Sequence, residues 1–216
     1  MKKTSKYIRL KTSLNSELVE VGLDEAGRGA LAGPVVTSAV IMPKDFNNPL
    51  IKDSKLLTDG QRSEARQLIL DNAIAHYTIA IGVEDIERLN ILRATMEGMK
   101  QCLDNIWRIS KENKIKDFEF ILVDGDQFKG WRGIPFKTIT GGDNKYTSIA
   151  AASILAKTKR DEIMRKLNEG KERYGWNSNK GYGTAAHIKA IKELGPTEHH
   201  RSSFISHMLT TTSSLF

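Results

Sequence analysis

The sequence predicts an α/β or α+β domain built on a mixed sheet, and three observations carry that prediction. Strand and helix signals come as three strands, a helix, a strand, another strand and then mainly helices, an order that strict βαβ alternation does not produce. A chain of 216 residues with 39% apolar content can bury a substantial core as one large domain, or a domain with a small appendage. A run of small residues, Ser148-Ile-Ala-Ala-Ala-Ser-Ile-Leu-Ala-Lys157, reads as a helix packed tightly against its neighbours.

Taken in order, Leu18 to Asp24 alternates as a strand, and Val35 to Met42 is an apolar strand opened by Gly33-Pro34. A helix is predicted over Asp59 to Ala75, then a third strand over Tyr77 to Val83. Ile86, Leu89, Leu92, Met96, Met99, Leu103 and Ile106 recur at three- and four-residue spacings, which predicts one long helix. Phe118 to Asp124 is a buried strand ended by Gly125, and Phe136 to Thr140 is a short strand stopped by Gly141-Gly142. The small-residue helix continues through Thr158 to Leu167. Gly181-Tyr182-Gly183 lies in a loop before a helix over Thr184 to Leu194, which Gly195-Pro196 ends.

Composition narrows the class. One cysteine, Cys102, leaves no intrachain disulfide and no Cys-rich zinc site. No apolar run approaches the roughly 20 residues that span a bilayer, and nothing apolar follows the basic start to make a signal peptide, so a soluble, cytoplasmic protein is expected. The net charge of +7 is uneven. Residues 2–11 carry five Lys or Arg and no acid, and residues 157–201 carry eleven basic against six acidic side chains. That surplus reads either as a solvated face or as a surface for a phosphate backbone, with Lys157, Lys180 and Arg201 as candidate contacts.

Acids fall where sites on open sheets are built. Asp24 and Glu25 close the first strand, Asp124 closes the fourth, and Asp143 follows Gly141-Gly142. If the first and fourth strands are neighbours, four carboxylates meet at one rim. Like charges there raise one another's pKa unless a cation neutralises them. An all-oxygen set favours Mg²⁺ or Mn²⁺ over zinc. Each acid also has an ordinary reading, as turn residue, helix cap or solvated strand end. Adjacent strand residues face opposite sides, so Asp24 and Glu25 share an ion only if the strand ends or bulges there.

Gly27-Arg28-Gly29 with Ala32 matches a loose dinucleotide-binding fingerprint, which would make the chain a nicotinamide-dependent oxidoreductase. The preceding acids would repel a pyrophosphate, and Pro34-Val35-Val36 starts a strand where that motif needs a helix. The other use of these glycines is close backbone approach to a nucleic-acid strand.

Asp24-Glu-Ala-Gly-Arg-Gly-Ala-Leu-Ala-Gly-Pro34 resembles the signature of the type 2 ribonucleases H, most like the bacterial ribonuclease HII branch. Asp53-Ser-Lys55, Val123-Asp-Gly125, Gly142-Asp143, Ala151 to Lys157, Gly181-Tyr-Gly183 and His200-Arg-Ser-Ser-Phe204 follow in that family's order. The resemblance runs from about Val19 to Ser206. It implies a ribonuclease H-like fold: a central mixed five-stranded sheet flanked by helices, with a helical C-terminal extension. It divides the chain into a basic N-terminal segment (1–17), a catalytic domain (18–206) and a tail (207–216). It implies a monomeric endonuclease acting on the RNA strand of RNA–DNA hybrids and 5′ of ribonucleotides embedded in duplex DNA, leaving 5′-phosphate and 3′-hydroxyl ends. In the resemblance Asp24, Glu25, Asp124 and Asp143 are the ligands of two Mg²⁺ or Mn²⁺ ions. The Gly27-Arg28-Gly29 backbone reads the 2′-hydroxyl, Tyr182 packs on the deoxyribose beyond the ribonucleotide, and Lys55 faces phosphate. All four acids are present, which argues against a non-catalytic binder of the same fold.

Two positions depart from the family. Leu56 stands where a second lysine is common, and Asp126 adds an acid that reads as a surrogate ligand or, more simply, as a solvated turn residue. His199-His200 has no third ligand at zinc spacing, and His187 receives no role. Trp107, Trp131 and Trp176 read as core or shelf residues, and Met96 with Met99 as helix core.

Overall fold

A computed structural model describes residues 9–209. Lys2, Lys3 and Lys6 of the basic start and residues 210–216 of the tail lie outside the described residues. Five strands form one sheet: β1 (Glu20–Ala26), β2 (Val35–Ile41), β3 (Ala75–Ile81), β4 (Phe120–Asp124) and β5 (Phe136–Ile139). Their order is β3-β2-β1-β4-β5. β1 and β3 run antiparallel to β2, whereas β4 is parallel to both β1 and β5. The first and fourth strands are therefore neighbours, the condition on which the convergence of acids depended.

The helices are α1 (Asp59–Asn72), α2 (Val83–Leu89), α3 (Ile91–Glu112), α4 (Thr147–Leu167), α5 (Trp176–Asn179), α6 (Ala185–Leu194) and α7 (Ser202–Leu209). Two of them cover the sheet. Met99, Leu103 and Ile106 of α3 pack with Val21, Leu23, Ile121 and Val123 on one face. On the other, α4 presents Ala150, Ala151 and Ile154 beside Val40 and α1. Alanine suits both helix formation and close approach. The approach is at backbone distance: a Cβ on Gly22 of β1 would stand 2.3 Å from the Ser148 carbonyl carbon.

The single long helix predicted from Ile86 to Ile106 is two helices. Asn90 takes φ 64°, which its short polar side chain tolerates, and caps α3 by accepting from the Arg93 N–H at 3.1 Å. The apolar spacing runs on across the break because both helices pack on the same side of the sheet. The third strand starts and ends two residues before the predicted span, since Gly82 caps α2 and Val83 opens it.

At the ends, Leu10 is buried against α1 and α4, and Lys11 exchanges main-chain hydrogen bonds with Lys145 and Thr147. The C-terminal helices enclose a second core of Trp176, Ile191 and Ile205 with Met164 of α4 and Leu31. Among the described residues, no helix is long and apolar enough to cross a membrane.

Candidate active site

A cleft of about 470 Å³ opens where β1 and β4 end, with Asp24, Glu25 and Asp124 in its wall. Strand alternation assigns their directions. Gly22, Asp24 and Ala26 face α4, as do Leu122 and Asp124, so Asp24 and Asp124 leave the same face of adjacent parallel strands. Glu25 leaves the other face. β1 neither ends nor bulges there, since its pairing with β2 runs unbroken to Ala26↔Val36. Its carboxylate instead pairs with Arg28 at 3.4 Å. Asp143 sits in the turn that leads into α4, with Lys55 Nζ 3.8 Å from its Oδ2.

The electrostatics of this rim are those of acids held together without enough neutralising charge. Burial, then the neighbouring Glu25 and Asp124, hold Asp24 well above the usual carboxylate range, against donation from the Glu25 N–H and Ser153. Burial also raises Glu25, with Arg28 opposing and Asp124 adding to it. Asp143 is raised by burial and by Asp124 and Asp53, with Lys55 opposing. Burial lowers the Lys55 ammonium, but Asp53, Asp143, Asp24 and Asp124 together raise it. Its side chain is 79% exposed and free to meet a ligand.

Among the described residues, no three His, Cys, Asp or Glu side chains stand close enough to enclose one ion unaided. The donor set nevertheless fits a hard cation. Mg²⁺ is commonly bound by one or two carboxylates, with water and substrate phosphate in the remaining positions, and Asp24 with Asp124 supplies that pair. Asp126 is exposed and accepts from its neighbour Gln127 at 2.8 Å, which is the solvated turn reading.

The glycines divide by purpose. Gly27 is buried at φ +97°, and a Cβ there would stand 2.0 Å from Nε of Arg160, so its glycine serves the protein interior. Gly29 is exposed, has an ordinary φ, and nothing lies within 4 Å of where its Cβ would be. Nothing in the protein requires glycine at that position, and it faces the cleft. No helix follows the loop: β2 begins at Val35, which removes the dinucleotide reading.

Tyr182 lines the same cleft, half-buried. The loop that carries it is pinned. Gly181 O accepts from Leu31 and Ala32 N–H, the Arg160 guanidinium stands 5.1 Å above the Tyr182 ring, and His187 Nδ1 lies 3.0 Å from the Tyr182 carbonyl. His187, to which the sequence assigned nothing, is fully buried. Trp176 Nε1–H donates to its Nε2 at 2.9 Å, which leaves the proton on Nδ1 to be donated to Tyr182. His200 is buried beside it, 3.1 Å away through Nε2, so the two histidines pack into the core.

Arg201 corrects an expectation. Offered as a phosphate contact, it is wholly buried and hydrogen-bonds the carbonyls of Gly33 and Arg28. Arg160 is equally buried. Burial and then Arg160 lower Arg201 to about 9. Lys157 lines the cleft, paired with Asp161, and Lys180 is partly exposed at the mouth of its loop. Ser153, which lines the cleft and lies 3.2 Å from Ser54 Oγ, belongs to the site although the sequence reading gave it no role. The tryptophans are core or shelf: Trp176 and Trp131 are buried, and Trp107 packs edge-on against Phe118 and Trp131.

A family model described as Ribonuclease HII matches residues 21–207. The protein named Ribonuclease HII from Bacteroides thetaiotaomicron is 46% identical over 191 residues, covering 88% of this chain and 92% of its own length. Among solved structures, ribonuclease H2 from Pyrococcus horikoshii OT3 superposes with a TM-score of 0.70 at 22% identity, over 89% of this chain and 97% of that one. A structure titled Bst-RNase HIII in complex with Mn2+ gives 0.65 at 19% identity, over 90% and 65%. Both superpose over about nine tenths of this chain, which shows a shared fold. With motif order, fold and identity in agreement over nearly the whole chain, the protein belongs to the ribonuclease HII family and is an endoribonuclease of the ribonuclease H type.

Proposed function

We propose that this enzyme hydrolyses the RNA strand of RNA–DNA hybrids and cuts 5′ of single ribonucleotides embedded in duplex DNA, removing them during replication or repair. One observation carries the reading: Asp24 and Asp124 leave one face of adjacent strands into a cleft whose other walls are the Gly29 backbone, Lys55 and Tyr182. An acidic floor able to hold a cation, with polar backbone, a lysine and an aromatic ring around it, suits a sugar-phosphate whose charge that cation offsets.

Asp24, Asp124 and Asp143 would hold two divalent ions, Mg²⁺ or Mn²⁺; Glu25, which leaves the other face of β1, would not share an ion with Asp24 and would reach the second ion only by giving up Arg28. Such ions supply an activated water and relieve charge on the leaving oxygen. The relative titled with Mn2+ is consistent with this choice. Ser153 lines the cleft beside Asp24 and favours its charged form. Lys55, tethered at Asp143, meets the phosphate and offsets its charge. A 2′-hydroxyl both donates and accepts, so the outward backbone of the Gly27–Gly29 turn distinguishes ribose from deoxyribose without reading a base. Tyr182 packs on the next sugar. The products are a 5′-phosphate and a 3′-hydroxyl.

The test is a duplex in which the one ribonucleotide carries fluorine or hydrogen in place of its 2′-hydroxyl. The ribonucleotide duplex is cut and both analogues stay intact. Equal cutting of the fluorinated duplex would overturn the backbone reading of the ribose.

A further inference from the structure

Arg160 and Arg201 are among the largest wholly buried side chains, and among the described residues neither guanidinium pairs with a carboxylate. Their donors go to main-chain carbonyls, all but one of them in the turn that borders the cleft. Arg201 donates from Nε and Nη2 to Gly33 O at 3.0 and 2.8 Å, and from Nη1 to Arg28 O at 2.9 Å. Arg160 donates to Pro34 O, Ala32 O and Lys180 O at 2.9, 3.1 and 2.8 Å. Desolvating a cation with no counterion is costly, so carbonyls standing in place of carboxylates at both arginines mark this loop as one whose backbone direction is tightly specified.

Peptide geometry turns that into a statement about the cleft. In a trans peptide the N–H points away from the C=O, and the described chain has no cis bond. The Arg28 carbonyl is drawn inward by Arg201, so the N–H of Gly29 in the same peptide unit is turned outward. Gly29 is exposed and lines the cleft, and its N–H meets no acceptor among the described residues.

We propose that Arg201 is a positioning residue for ribose recognition: by holding the Arg28 carbonyl and, across the turn, the Gly33 carbonyl, it aims the Gly29 N–H at the 2′-oxygen of the substrate. This rests on the reading above that the Gly27–Gly29 backbone contacts the ribose. Only a planar guanidinium bridges two carbonyls five residues apart with fixed directions; an ammonium is a point charge without that fork.

The test uses an Asp124→Asn background, so that binding is measured without cleavage. Dissociation constants are compared for an all-DNA duplex and the same duplex carrying one ribonucleotide, before and after Arg201→Lys. The background protein prefers the ribonucleotide duplex. Arg201→Lys shrinks that preference by about fivefold, the scale of one hydrogen bond, through weaker binding of the ribonucleotide duplex alone. Phe204→Leu is the second variant. It leaves the buried charge in place but removes the ring 5.2 Å from the Arg201 guanidinium, and it gives a smaller loss in the same direction where Arg201→Lys melts too low to measure. An unchanged preference in a folded variant, or equal weakening of both duplexes, overturns the proposal and leaves the ribose reading standing. A background protein with no preference overturns the ribose reading and the proposal with it.

Discussion

The Gly142 N–H donates to Asp124 Oδ1 at 2.6 Å, tying the carboxylate at the end of β4 to the turn that carries Asp143. An asparagine at 124 keeps an oxygen able to accept that bond, so Asp124→Asn is expected to fold normally while losing one negative charge. Cleavage should fall to background. Binding to a hybrid duplex should be unchanged or tighter, because repulsion toward phosphate is removed along with the ligand. Asp24→Asn should behave alike. Near-normal turnover of either variant at saturating Mg²⁺, measured on a labelled hybrid, would remove that residue from the site.

The two glycines should separate on substitution. Gly27→Ala forces a side chain into the left-handed region and onto Arg160, so thermal unfolding should show a loss of about 1–3 kcal/mol or more. Gly29→Ala should melt within about 0.5 kcal/mol of the parent, as a surface substitution. It should nonetheless lose affinity for a ribonucleotide-containing duplex, because its methyl group projects into the cleft. A Gly29→Ala protein with parental affinity would place the ribose elsewhere.

Much of this arrangement was legible from residue order. Asp124 at the end of its strand, Asp24 near the end of its own, the small-residue stretch of α4, and Gly-Pro after the last turn of α6 are local patterns, and local patterns survive in a sequence. What was not legible depends on partners far along the chain. Arg160 meets Pro34 across 126 residues, and Arg201 meets Gly33 across 168. A cue was available for Arg160, since it shares a buried stripe with Ser153, Ala156 and Met164 at three- and four-residue spacing, where a charged side chain is out of place. The direction of Glu25 was left open because alternation alone does not say whether a strand continues, and here it runs to Ala26.

Tyr182 should separate junction sensing from packing. A ring on a sugar is worth no more than the roughly 1–3 kcal/mol measured for aromatic contacts to bases. Tyr182→Ala should lose most of its rate on a single ribonucleotide in DNA and less on a continuous hybrid, whose downstream sugar is a ribose. Because the loop is anchored through the Tyr182 carbonyl to His187 and through the ring to Arg160, and phenylalanine keeps both, Tyr182→Phe should retain the loop and much of the rate. Equal losses on both substrates with a lowered melting temperature would assign the ring to packing alone.

The buried histidines give a pH signature. Burial and then His187 push the His200 imidazole down to about 4, and burial lowers His187. Unfolded histidine titrates near 6.5, so between about 6.5 and about 4 the unfolded chain binds the extra proton. The contribution is therefore complete above pH 6.5 and is lost as pH falls, by up to about 1.4 kcal/mol per pH unit per proton. The raised carboxylates of the rim act in the opposite direction, so the readout is the difference between wild type and His200→Gln in urea unfolding. That difference should shrink from pH 7.5 to pH 5; a constant difference would mean His200 is protonated alike in both states.

Affinity for duplex should fall with salt, with a slope near 0.9 per neutralised phosphate on B-form DNA. Lys157→Glu and Lys180→Glu should each lower that slope, since Lys157 lines the cleft and Lys180 is partly exposed beside it. An unchanged slope in both variants would make the basic surplus a solvated face.

The most direct measurement is cleavage of a DNA duplex bearing one ribonucleotide, with Mg²⁺ or Mn²⁺ and again with a chelator. The account predicts one cut 5′ of the ribonucleotide, leaving a 5′-phosphate and a 3′-hydroxyl, abolished by chelation and restored by added metal. Cutting that persists in chelator, or that leaves a 2′,3′-cyclic phosphate from attack by the ribose itself, would contradict it.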